Sequence, residues 1–127
     1  MSIAVLLSIK PCFADAIFAG DKLFEFRKSA LRNGEARKVY VYASAPISKV
    51  IGYFYIDELI ERPLPDLWKE TKNGAGISKK YFEQYFAGKA IGYALKVAQP
   101  SLFKTPKYLD AFGISHPPQS FRYVRAI

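Results

Sequence analysis

Short runs of alternating apolar and polar residues, bounded by glycine, proline or asparagine, are the feature that most restricts how this chain can fold. The clearest run is LFEFR at residues 23–27. In a strand, alternation sends Phe24 and Phe26 to one face and Glu25 and Arg27 to the other. The phenylalanine face predicts a core. The charged face is either a solvated ion pair or one wall of a site.

Further runs of the same kind predict a sheet of about six strands. In one of them, Val39 and Val41 alternate with Tyr40 and Tyr42. Another contains Gly52, which indicates a bulge or bend. Turn residues separate the runs, and Asn33-Gly34 is the strongest turn signal among them. Besides residues 23–27, the predicted strands lie at residues 4–9, 37–44, 48–59, 89–98 and 120–124.

Three segments predict short helices. Residues 10–20 carry Pro11 in the first turn and Gly20 at the end, positions that both residues favour. A second helix falls within residues 64–76, and Ser78 predicts the N-cap of a third that ends by residue 88. Together these elements predict one α+β domain over residues 1–127, a small β-barrel with short flanking helices.

Composition narrows the partners of such a domain. A formal net charge of +8 and a pI near 9.6 favour an anionic partner: RNA, single-stranded nucleic acid or a nucleotide. Cys12 and His116 are the only cysteine and histidine, which argues against a zinc site, and we expect no metal or cofactor. No apolar run has the length of a membrane span and no signal peptide is recognisable, so we expect a cytoplasmic protein without a membrane partner.

Charged residues around the first helix form the main candidate site. Lys10 precedes the helix N-terminus, where free N–H groups attract anions. Lys22, Glu25 and Arg27 follow the helix, and we expect the last two on an accessible concave face. A lysine beside a carboxylate can bind an anionic ligand or, in an enzyme, transfer protons. The alternative is an ordinary surface ion pair.

A second group of candidates is aromatic and basic. Bases stack on aromatic rings while lysines and arginines contact phosphates, and the predicted strands interleave the two residue types. The alternative is that the tyrosines fill the barrel edge. The candidates are Tyr42, Ser44, Lys49, Tyr93 and Arg122.

The order of these segments resembles the ASCH domain family. The pattern G-x-K-x-x-E-x-R is formed by Gly20, Lys22, Glu25 and Arg27, and it follows a strand and a helix as it does in that family. The downstream blocks resemble stand-alone ASCH proteins described as predicted transcriptional regulators. These blocks are RKVYVYASAPISKVIGYFYIDEL, WKETKNGAGISKKYFEQYFAGKAIGYALKV and PPQSFRYV. The resemblance implies a PUA-like β-barrel with a cleft for RNA or a nucleotide, possible regulation of transcription or translation, and Lys22 at the edge of that cleft.

Some similar proteins are enzymes, which leaves a second hypothesis open. One branch removes the acetyl group of N4-acetylcytidine with a lysine, a threonine and a later glutamate. Lys22 matches the lysine, but Glu25 stands at the threonine position. The glutamate would fall within residues 73–76, which contain no acid; Glu70 is the nearest upstream. Other members are ribonucleases. A binding module is therefore favoured over a hydrolase with Lys22 and Glu25 as catalytic residues, and a protein-interaction module is a third possibility.

Overall fold

A mixed six-stranded sheet forms the framework of the computed structural model, which describes residues 2–127. The strands are β1 (Ile3–Ile9), β2 (Phe24–Arg27), β3 (Lys38–Ala43), β4 (Lys49–Pro63), β5 (Ile91–Lys107) and β6 (Phe121–Arg125). Their order across the sheet is β2-β5-β4-β3-β1-β6. Within residues 2–127, only β1 and β3 pair in parallel. The chain makes that parallel connection by way of α1 and β2.

Short helices cover the sheet close to where the sequence predicts them. They are α1 (Pro11–Ala19), α2 (Leu64–Thr71) and α3 (Lys79–Tyr85), with 3-10 turns at Lys72–Gly74 and Leu109–Phe112. Gly20 ends α1 in the left-handed conformation, with φ 85°. Ser78 caps α3 as predicted, because its hydroxyl accepts a hydrogen bond from the backbone N–H of Tyr81 at 3.0 Å.

The alternation in β3 separates two cores on opposite faces of the sheet. Val39 and Val41 join the core beneath α1, whereas Tyr40 and Tyr42 join a core with Phe112. A third apolar cluster lies between α2, α3 and the strands β2 and β5. It contains Phe26 and so packs the short strand β2 against the two helices.

The two longest strands extend beyond their predicted ends. β4 continues to Pro63, and β5 continues past its predicted end at residue 98, through Pro100 and Pro106, to Lys107. Proline cannot donate to the ladder, and the pairing of the two strands is irregular in this region. Gly52 lies at a register shift as expected, and a Cβ there would clash with the carbonyl oxygen of Ser101.

The predicted α+β class, six strands and short helices are confirmed, but backbone pairing does not close the sheet into a barrel. Among the described residues, β2 and β6 remain the edges of the ladder. A side-chain hydrogen bond joins these edges instead, from the guanidinium of Arg27 to the hydroxyl of Ser120. We call this junction the seam, formed by Arg27 at the end of β2 and Ser120 just before β6. In the part of the chain from residue 2 onward, no helix is long and apolar enough to cross a bilayer.

Candidate functional site

A cavity of about 320 Å³ opens beside the seam. It lies where the C-terminal ends of β1 and β3 meet β2, the start of α1 and the outer face of α3. Five of the residues predicted from the sequence line it: Lys10, Lys22, Glu25, Arg27 and Ser44.

Lys22 forms the floor of the cavity and not its edge as expected, because its side chain is only 2% exposed. Its ammonium group donates a hydrogen bond to the carbonyl oxygen of Ala75 at 2.7 Å. The rings of Phe13 and Phe26 have their centroids 5.4 Å and 4.8 Å from the same nitrogen. Burial among these groups lowers the pKa of Lys22, although the nearby Glu25 carboxylate acts in the opposite direction.

The segment after α2 holds Lys22 in place. Gly74 accepts a hydrogen bond from the backbone N–H of Leu23 at 2.7 Å. Gly76 has φ +68°, and a Cβ at this position would lie 2.6 Å from the Cβ of Lys22. Only glycine fits both the backbone conformation and the close approach. An amidohydrolase acting on N4-acetylcytidine would carry its glutamate in this segment. In this protein the segment offers Lys22 a backbone carbonyl in place of a carboxylate.

Glu25 and Arg27 form a buried ion pair, not the solvated surface pair that the strand pattern left open. Nη1 of Arg27 donates to Oε2 of Glu25 at 3.2 Å, and the two residues are 7% and 6% exposed. The expected accessible face is therefore a wall of the cavity. Burial raises the pKa of Glu25, and this effect exceeds the opposing attraction of Arg27 and Lys22.

These shifts move the pKa values of an amine and a carboxyl group toward neutral pH within one cavity. A carboxyl group with a raised pKa and an amine with a lowered pKa can exchange protons with a substrate more readily than either group can in water. Arg27 orients the carboxylate and adds a fixed positive charge. The set Lys22, Glu25 and Arg27 is suited to a phosphate or another anionic group that needs proton transfer.

The remaining predicted candidates lie elsewhere. Tyr42 is packed in the core that contains Phe112, because strand alternation directs it into the sheet interior. Lys49 stands over the ring of Tyr108. Tyr93 lies opposite both Arg27 and Glu61 in the sheet, and Arg122 is exposed on β6; none of these four lines the cavity.

Several lining residues were not predicted. Tyr81 and Tyr85 stand one helical turn apart on α3, and this i,i+4 spacing was the available signal. Tyr81 accepts a hydrogen bond from Lys10 at 3.3 Å, and Tyr85 donates one to the carbonyl of Phe26 at 3.2 Å. No local pattern marked the other polar residues, one of which lies in β1 and one in the segment before β6. These are Ser8 and Gln119.

Metal-ligand clusters are not found in the part of the chain that the structure describes. Within residues 2–127, no three His, Cys, Asp or Glu side chains stand close enough to hold an ion. His116 and Cys12 are both exposed.

Comparisons with known proteins agree with the resemblance seen in the sequence. The model of the ASCH domain matches residues 7–97. An ASCH domain-containing ribonuclease from Zymomonas mobilis is 30% identical over 126 residues, covering 94% of this chain and 83% of the relative. The crystal structure of a tyrosine-to-phenylalanine mutant of the Zymomonas mobilis ASCH protein superposes with a TM-score of 0.86 and 26% identity, covering 96% of this chain and 90% of that one. The N-terminal domain of Staphylothermus marinus McrB shares the fold alone, with a TM-score of 0.52, 16% identity and coverage of 85% and 77%.

Proposed function

The chain belongs to the ASCH domain family, and from that premise we propose that it is a ribonuclease that binds single-stranded RNA in the cavity and cleaves it there. The observation that carries the proposal is the buried Lys22 amine beside the Glu25–Arg27 pair. Desolvation brings the pKa of the amine down and makes proton transfer easier.

The reaction that fits these groups uses the 2′-hydroxyl of RNA as the nucleophile. Glu25 accepts the proton of this hydroxyl, and the 2′ oxygen forms a bond to the adjacent phosphorus. The bond from phosphorus to the 5′ oxygen breaks, and Lys22 supplies the proton that this oxygen takes up. Arg27 balances the charge that builds on the phosphate oxygens. The products are a 2′,3′-cyclic phosphate and a 5′-hydroxyl end.

The binding-module hypothesis favoured by the sequence receives less support than this alternative. One relative, 30% identical and matched over 94% of this chain, carries the name of a ribonuclease, and the cavity contains groups with shifted pKa values. A role in regulating transcription has no comparable support. Acetylcytidine hydrolysis is also less favoured, because residues 73–76 supply the Ala75 carbonyl to Lys22 and no carboxylate.

A labelled RNA strand tests the proposal. Wild-type protein is incubated with the RNA, with the same strand carrying 2′-deoxy sugars, and with N4-acetylcytidine. We expect cleavage of the RNA only, and a loss of about 100-fold or more in Lys22→Met and Glu25→Gln, the size of a general acid or base contribution. Lys69→Gln, on the exposed surface of α2, is the matched control and should cleave normally.

The outcomes separate the hypotheses. Binding of RNA without cleavage would overturn the ribonuclease proposal in favour of a binding module. Cleavage of the 2′-deoxy strand would exclude the 2′-hydroxyl mechanism. Release of acetate from N4-acetylcytidine would assign the cavity to the amidohydrolase class. Circular dichroism of both variants shows whether a loss of activity is a loss of fold.

A further inference from the structure

Acidic residues are distributed unevenly along the chain. Strand pairing brings the segments without acidic residues together in one part of the sheet. Six of the eleven Asp and Glu residues lie between residues 57 and 83. Residues 36–56 and 84–109 contain none. The two acid-free segments supply β3, the first half of β4 and the second half of β5, which are neighbours in the sheet. This end of the sheet therefore carries positive charge without local compensation. Its basic residues are Arg37, Lys38, Lys49, Lys104 and Lys107.

Three of these lysines stand over aromatic rings. The amine of Lys38 is 4.3 Å from the ring centroid of Tyr53. The corresponding distance is 5.2 Å from Lys107 to Phe103. It is 5.1 Å from Lys49 to Tyr108. We call this surface the basic aromatic strip. Lys38, Tyr53, Phe103 and Lys107 lie on the sheet face of Tyr40, and Lys49 and Tyr108, each one residue beyond the Val50–Lys107 pair, continue it over the end of the sheet.

The strand register gives the strip its length. Lys38 lies opposite Tyr55 on β4, and Lys107 lies opposite Val50 on the same strand. Five residues of β4 therefore separate the two lysine positions, or ~16 Å along the strand. That length is enough for a few nucleotides of a single strand to lie along the strip.

The strip is available to a partner. In the described part of the chain, none of its three lysines forms an ion pair with a carboxylate. Tyr108 is 64% exposed, a large fraction for a tyrosine in a folded domain. The rings of Tyr53 and Phe103 rest on Tyr40, which belongs to the core, so the strip has a rigid base.

One end of the strip lies close to the cavity. Lys49 pairs with Ala43, the last residue of β3, and the next residue, Ser44, lines the cavity. A strand of RNA that leaves the cavity past Ser44 reaches Lys49 and Tyr108 within the span of the turn between β3 and β4. The strip then continues along the sheet toward Lys38.

We propose that the basic aromatic strip binds single-stranded RNA that flanks the nucleotides held in the cavity. The inference rests on the proposed function for the identity of its ligand. Uncompensated lysines bind phosphates, and the exposed ring of Tyr108 stacks on a base. An acidic protein would satisfy the charges but would leave the aromatic component without a role, so RNA fits the whole surface better.

The test compares two RNA lengths and two double variants. Lys38→Gln/Lys107→Gln removes two charges from the strip and keeps the length of the side chains. Lys69→Gln/Lys89→Gln removes two exposed charges elsewhere. Affinity for a fluorescent twelve-nucleotide oligouridine is measured by anisotropy at several salt concentrations. The cleavage rate of a dinucleotide, which fills the cavity alone, is measured in parallel.

We expect the strip variant to bind the twelve-nucleotide RNA about tenfold more weakly, with the log–log salt slope reduced by about 1.4 for two lost phosphate contacts. The control variant should change affinity less than twofold, and neither should alter dinucleotide cleavage. Tyr108→Ala, which removes an exposed ring, should weaken binding by about fivefold or more through lost stacking. Thermal melts establish that each variant is folded.

Each contrary result has a definite meaning. Equal losses in the strip and control variants would overturn the strip and leave only general attraction to a basic protein. Absence of oligouridine binding by the wild type, or strip-dependent binding of polyglutamate with equal affinity, would also overturn it. If the dinucleotide is cleaved but the affinity for the twelve-nucleotide RNA does not depend on the strip, the strip proposal is wrong and the ribonuclease proposal stands. Strip-dependent binding without any cleavage supports the strip and contradicts the ribonuclease proposal.

Discussion

The cavity and the basic aromatic strip both place lysine amines over aromatic rings, but they differ in how much water reaches those amines. Lys22 lies between Phe13 and Phe26 and is 2% exposed. Lys38 stands over Tyr53 at a similar distance and is partly exposed. Burial changes the pKa of Lys22 and suits it to proton transfer, whereas a hydrated amine suits the binding of phosphate. In our proposals, the same pair of residue types therefore serves catalysis in the cavity and RNA binding on the strip.

The largest expected effect separates the two regions kinetically. Lys22→Met should lower kcat by about 100-fold or more and change KM little, because it removes a group that acts in the transition state. Lys38→Gln/Lys107→Gln should raise KM for a long RNA and leave kcat within about twofold. Steady-state kinetics on a twelve-nucleotide substrate measures both. A loss of kcat in the strip variant would remove the distinction between the regions.

Gly76→Ala should be the next largest change, since it disturbs the cavity from its supporting segment. The new Cβ meets Lys22 at 2.6 Å and the backbone has φ +68°. We expect a loss of about 2–4 kcal/mol in the free energy of unfolding, together with reduced cleavage.

Gly88→Ala is the matched control for this substitution. Gly88 has φ +84°, but a Cβ there meets nothing within 4 Å. Gly88→Ala should therefore lose only the part of the free energy of unfolding that comes from the strained backbone, about 1–2 kcal/mol, and keep full activity. Urea denaturation compares the two variants, and equal losses would show that the contact with Lys22 costs nothing.

A pH series should distinguish the buried charges of the cavity from those of the surface. Because the pKa of Glu25 is raised in the folded protein above its ordinary 4.5, the native state binds more protons than the unfolded state above that pH. The Glu25 contribution to stability is therefore present below about pH 4.5 and is lost as the pH rises through the folded pKa.

Glu25→Gln removes this contribution, so the difference in melting temperature between wild type and variant should change as the pH rises above 4.5, with the wild type losing relative stability. The lowered pKa of Lys22 has the opposite sign, because stability rises as the pH increases through the folded pKa toward 10.5, but both proteins retain Lys22 and this contribution largely cancels in the difference. Lys38→Gln is the surface control. A pH-independent difference for Glu25→Gln would contradict the raised pKa.

The smallest expected effect concerns the seam beside the cavity. Ser120→Ala removes the hydroxyl that accepts the hydrogen bond of Arg27 and leaves the Glu25–Arg27 pair intact. We expect a loss of about 1 kcal/mol in the free energy of unfolding. Hydrogen exchange should rise at β2 and β6 and stay unchanged at β4. If hydrogen exchange does not rise specifically at β2 and β6, the side-chain hydrogen bond does not hold the seam closed.

The sequence determined the elements of this protein because their signals are local. Alternation placed Val39 and Val41 opposite Tyr40 and Tyr42, and the Ser78 cap and Gly20 terminus were recognisable from single residues. The family motif also identified the cavity residues Lys22, Glu25 and Arg27. Their environment was not local: whether Glu25 and Arg27 formed a surface pair or a buried one depended on α3 and the segment before β6, which lie about 60 and 90 residues away.

Only the tertiary structure decided which charges are buried and which face water. Lys22 is buried because residues 72–76 fold over it, whereas Lys38, at the start of β3, stays half-exposed. Pairing of distant segments also extended β5 through two prolines, against their local preference, and left the sheet open at the seam. Desolvation is a property of all surrounding atoms, whereas strand and helix periodicity is a property of neighbours in the chain. For this reason the pattern of residues pointed to Lys22, Glu25 and Arg27, and only the fold showed that they are buried together in one cavity.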